Sequence, residues 1–104
     1  MEERLAYKVV TQDMRSLGLR RNPNILEFTQ GEWLLLPKNE VLAGKSDWGG
    51  IWAAVDKGNA RSLQRYMRRQ YNQETRLFAA AIKDVLYENS YRLKTNGIYL
   101  IEEL

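Results

Sequence analysis

From Leu5 to Val10 apolar and polar side chains alternate well enough to predict a strand with Tyr7 and Val9 on one face. Thr11 is placed to cap a short helical turn over residues 12–17, which Gly18 stops. After the basic turn Arg20-Arg21-Asn22-Pro23-Asn24, residues 25–28 and 33–36 read as two strands joined through Thr29-Gln30-Gly31, and Pro37 ends the pair. Residues 50–55 form a short apolar run, the pattern of an interior strand.

The strongest helical period covers residues 60–71, with Asn59 as its predicted cap. Residues 75–82 suit either a helix, through their three alanines, or a buried strand, through their length and flanks; a strand is the expectation. Residues 91–95 and 98–103 flank Asn96-Gly97, the strongest short signal for a two-residue hairpin turn. Such a turn sets Thr95 opposite Ile98, Leu93 opposite Leu100 and Tyr91 opposite Glu102. Arg92 and Lys94 then occupy a wetter face, their stems lying over Tyr99. The sum is one α+β domain over residues 1–104: a mostly antiparallel sheet, one main helix and a C-terminal β-hairpin.

Composition changes this picture mainly by closing chemistries. Among 104 residues there is no cysteine and no histidine. Disulfides, thiolate nucleophiles, thiolate or imidazole metal ligands and a Ser-His-Asp arrangement are therefore excluded, and no metal site is expected. At 44% hydrophobic and 28% charged, the chain has the make-up of an ordinary globule. It contains no apolar run of the ~20 residues a membrane span needs. The opening MEERLAYKVV lacks the shape of a secretory signal, so a cytoplasmic location is expected.

Two stretches carry candidate chemistry. Ala43-Gly44-Lys45-Ser46 looks like the end of a phosphate-binding loop, but Asn39 stands where its first glycine belongs. Asp47-Trp48-Gly49-Gly50 then replaces the helix that completes such a cradle. What remains is Trp48-Gly49-Gly50-Ile51-Trp52. In a strand, Trp48, Gly50 and Trp52 share a face, and the glycine leaves a gap between two rings. That gap reads either as a slot for a flat ligand or as packing around a bulge.

The second stretch is the helix. On a wheel, Ala60, Leu63, Met67 and Tyr71 fall on one side, with Tyr66 at the margin. Arg61, Arg65, Arg68 and Arg69 occupy an arc of roughly 100° nearly opposite. No acidic residue follows until Glu74, so this face reads as a contact for an anionic partner, either nucleic acid or an acidic protein surface. The plainer alternative is a solvated polar face. Asp47 and Glu102 are the remaining acid/base candidates, with Tyr91 expected across from Glu102.

The order of elements is similar to the small ADP-ribosyltransferase-like fold. The likeness rests on the Tyr7-Lys8 strand, the strand from Gly50, the Ala-x-x-Leu helix start, and a following strand, charged hairpin and closing strand. In such families the first strand supplies an Arg, the middle strand a Ser-Thr-Ser and a later element a catalytic Glu. Here Lys8 stands at the Arg position, Trp52-Ala53-Ala54 at the hydroxyl positions, and Glu102-Glu103 form the late acidic pair. The resemblance implies a non-catalytic relative. The expectation is thus a binding domain without a cofactor that acts through its arginine face. Its rivals are NAD binding by Lys8, Trp48, Trp52 and Glu102, with Lys8 and Glu102 as the catalytic candidates, and a homo-oligomer covering an apolar sheet face.

Overall fold

The computed structural model describes residues 4–18, 25–41 and 49–104. Its elements are β1 (Arg4–Thr11), β2 (Trp33–Leu35), β3 (Ile51–Ala54), α1 (Lys57–Tyr71), β4 (Thr75–Ile82), β5 (Val85–Glu88), β6 (Arg92–Thr95) and β7 (Gly97–Glu103). A 3-10 turn at Lys38–Glu40 follows Pro37. One α-helix and one antiparallel seven-stranded sheet, in the order β2-β7-β4-β1-β3-β6-β5, make the α+β domain that the periodicities predict. The ambiguous run over residues 75–82 is a strand and pairs with β1 along its whole length, from Thr11 opposite Thr75 to Arg4 opposite Ile82. Its alanines let the crowded centre of the sheet close up.

The Asn96-Gly97 hairpin does not exist. β6 pairs with β3 and β5, β7 pairs with β4 and β2, and neither Asn96 nor Gly97 has the positive φ that a type I′ turn requires. The reversal lies earlier, at Asn89 to Tyr91, where the Asn89 side chain accepts from the backbone N–H groups of Tyr91 and Arg92. β4 runs into β5, and β6 runs into β7, as one long bent hairpin. Ile82 faces Ile98 before the bend and Val85 faces Thr95 after it. Asn96 holds that bend: its side-chain oxygen accepts from the Asp84 N–H at 3.1 Å and its carbonyl accepts from the Leu36 N–H at 2.8 Å. Gly97 is needed for close approach, because a Cβ there would fall 2.5 Å from Leu35 Cδ2 and 2.8 Å from Lys83 Cγ.

The bend makes the sheet curl. β6 and β7 are joined by Asn96 alone, yet β4, β1 and β3 lie between them in the sheet, about 19 Å across if flat. Curling gathers Ala6, Val10, Ile51, Phe78, Leu93 and Leu100 inside, and Phe28, Met14 and Leu26 close over them. Leu93 and Leu100 are buried as expected, but not as cross-strand partners. On the outer face Val9, Ala54 and Leu77 receive Ala60 and Leu63 of α1.

The expected strand over residues 25–28 also differs. Leu26 and Phe28 bond back to residues 14–16 rather than to β2, and β2 takes its place at the sheet edge beside β7. No helical turn follows Thr11. Its hydroxyl accepts from the Arg15 N–H at 2.9 Å and shapes a reversal in which Met14 takes φ 66°.

Candidate anion-binding face

α1 begins one turn before its predicted start because Asp56, not Asn59, is the cap. The Asp56 carboxylate accepts from the Asn59 N–H at 2.7 Å. Asn72 closes the helix in the left-handed region, at φ 50°, its N–H bonding to the Arg68 carbonyl at 3.0 Å. Ala60 and Met67 are buried and Leu63 half-buried, which turns the arginine arc outward as the wheel predicts. Five of the sixteen basic residues and none of the thirteen acidic ones lie on α1, so the rest of the chain is acidic by two.

The four arginines are not equivalent. Arg68 is held by Glu74 in a two-pronged pair at 2.9 and 3.0 Å, which raises its pKa above the ordinary value. Arg61 donates to Gln64 at 3.0 Å and Arg65 to Ser62 at 2.9 Å, both neutral partners. Among the described residues no carboxylate pairs with Arg61, Arg65 or Arg69. These three stand at i, i+4 and i+8, a single ridge of the helix rising about 6 Å per step. Arg65 and Arg69 are exposed and Arg61 is half-buried.

Beside the ridge lies a feature the periodicity did not single out. Tyr66 and Tyr71 meet edge to face, 6.0 Å between ring centroids and 75° between planes, while 43% and 56% exposed. The Tyr71 phenol donates a hydrogen bond to Tyr66, which holds its pKa above the ordinary value of 10. The signal available in the sequence was Tyr66 at the margin of the apolar face, with Tyr71 one turn further on.

The space at Gly50 beside Trp52 is occupied by the chain itself. A Cβ at Gly50 would fall 2.8 Å from Lys94 Cδ and nearer still to its Cγ, so the lysine stem fills the space beside Trp52. Lys94 is fully buried and its ammonium lies 5.7 Å from the Trp52 ring. Arg92 stacks on the same ring at 4.1 Å and Tyr87 meets it edge-on at 5.8 Å. Arg92 and Lys94 therefore lie over Trp52, not Tyr99, and are not on a wet face. Gly49 does use its freedom, at φ 98°. Asp47 and Trp48, like Arg20 and Arg21, lie outside the described residues.

The described residues of the dinucleotide reading, Lys8, Trp52 and Glu102, do not converge. Lys8 points into the curled sheet, its ammonium donating to the Trp52 carbonyl at 2.5 Å and lying 5.1 Å from the Phe28 ring. Burial pulls its pKa down from 10.5 to about 8. By register the Trp52 side chain and Glu102 project from the opposite, outer face, with β1 and β4 between their strands. Tyr91 is at the hairpin tip and Glu102 faces Ala79, so the predicted Tyr91–Glu102 pair is absent.

No group of acidic side chains able to hold a metal occurs among the described residues, and no described helix is long and apolar enough to cross a membrane. Comparison with protein-family models, with curated proteins and with solved structures finds no match to this chain.

Proposed function

We propose that the domain is a non-catalytic binding module that grips a nucleic-acid backbone through Arg61, Arg65 and Arg69. The observation that carries this reading is the ridge itself: three guanidinium groups in line, with no ion pair to a carboxylate among the described residues. Arginine forks suit phosphate oxygens. A ridge of about 12 Å spans roughly three or four phosphates of one strand at ~3.4 Å each. Regular spacing favours a repeating polyanion over the irregular charge of an acidic protein.

The test is anisotropy of a labelled oligonucleotide against protein, repeated across salt concentrations. Wild-type protein is expected to bind with a log–log salt slope of about −2 to −3, the value for three neutralised phosphates. The R61A/R65A/R69A triple variant, folded by circular dichroism, is expected to lose binding. No binding at low salt, unchanged binding by the triple variant, or equal competition by polyglutamate each overturns the reading.

A further inference from the structure

We infer that the arginine ridge serves single-stranded rather than duplex nucleic acid, with the Tyr66/Tyr71 pair as the surface on which its bases stack. This rests on the backbone-binding reading above and names its substrate.

Leaving two aromatic rings in water forfeits the free energy of burying them, and the other large apolar side chains of α1, Leu63 and Met67, are buried or half-buried. The two tyrosines instead cover each other edge to face. In that arrangement the edge-on ring keeps both flat faces uncovered by its partner, and the other ring keeps one. Tyr66 is three residues before Arg69 and next to Arg65, so it borders the ridge at the i, i+3 distance of about 5–6 Å. A strand laid along the ridge puts phosphates on guanidinium groups and turns its bases toward the rings. In a duplex those faces are already stacked within the helix and cannot reach a protein ring. Cations tracking a backbone beside aromatic faces are how single strands are bound without sequence reading.

The experiment compares three 12-nucleotide probes: oligothymidine, an abasic strand of equal phosphate number, and a 12-base-pair duplex. Wild-type protein is expected to bind oligothymidine at least about tenfold tighter than either of the others. Y66A/Y71A should lose about ten- to hundredfold on oligothymidine, keep its salt slope, and bind the abasic strand as wild type does. Y66F/Y71F, which keeps the rings and removes the hydroxyls, should retain wild-type affinity. If Y66A/Y71A binds oligothymidine as wild type does, or the duplex binds as tightly, the stacking inference fails while the arginine reading survives. If no probe binds at low salt, both fail.

Discussion

The cations of the sheet and those of the helix have opposite fates. Each Lys and Arg on a strand is taken up within the fold: Arg4 by Glu88, Lys8 by a carbonyl and the Phe28 ring, Arg76 by Glu103, and Arg92 and Lys94 by Trp52. On α1, among the described residues, only Arg68 is paired with a carboxylate, and Arg65 and Arg69 of the ridge beside it are exposed. The difference teaches that formal charge does not measure electrostatic availability. Pleated strands put long cationic stems against rings, carbonyls and carboxylates of other strands, mostly the adjacent one, whereas a solvent-facing helix arc meets mainly its own i±3 and i±4 neighbours. A net charge of +3 understates the helix and overstates the rest.

The interior cation offers the largest break in this contrast. Because Lys8 titrates near 8 in the folded chain and near 10.5 when unfolded, the unfolded chain holds the extra proton between those values. Stability therefore rises with pH across that window, by up to about 3 kcal/mol from this group. Denaturant titrations of wild type and K8M at pH 7.5 and 10.5 should show the rise shrinking by that amount in K8M. An equal rise in both would mean that Lys8 is not desolvated as described.

Gly50→Ala probes the space around Trp52. With Lys94 fully buried and the Thr95 carbonyl 3.2 Å from the added Cβ, the stem has nowhere to move. A loss of about 2 kcal/mol is expected from the urea midpoint, against a few tenths were the gap open. Removing the helix cap comes next: D56A should cost about 1 kcal/mol and weaken oligonucleotide binding only as far as α1 frays. Smallest is a gain. E74Q releases Arg68 to the ridge, so binding should tighten a few-fold and the salt slope steepen by ~0.7 to 0.9, whereas R68A in the wild-type background should change little.

Local periodicity read the elements with strong patterns and missed what depends on distant partners. β1, β3, β4 and the outward turn of the α1 arginines follow from alternation and the 3.6-residue period. β5 was invisible because Val85-Leu86-Tyr87-Glu88 has no clean alternation and exists as a strand only through β6. Asn96-Gly97 misled because the pair serves a bend, where Asn96 bonds Asp84 and Leu36 and Gly97 gives room to Lys83; no local signal distinguishes that from a turn. At the candidate sites, the arginine arc was legible and its one paired member was not, since Arg68–Glu74 needs the left-handed cap at Asn72 to bring the chain back. The apparent slot at Gly50 failed for a similar reason: the lysine that fills it comes from a strand forty-four residues later.

The contrast is tested most directly by removing equal charge from the helix ridge and from paired arginines outside the helix. R61A/R65A/R69A and R4A/R15A/R76A both lower the net charge by three, the latter taking arginines already paired with carboxylates. Salt-dependent oligonucleotide anisotropy is then measured on both folded proteins. The account predicts that the helix variant loses binding and that the second keeps the wild-type salt slope within about half a unit. Equal loss in the two would show that overall charge, not the ridge on α1, holds the partner.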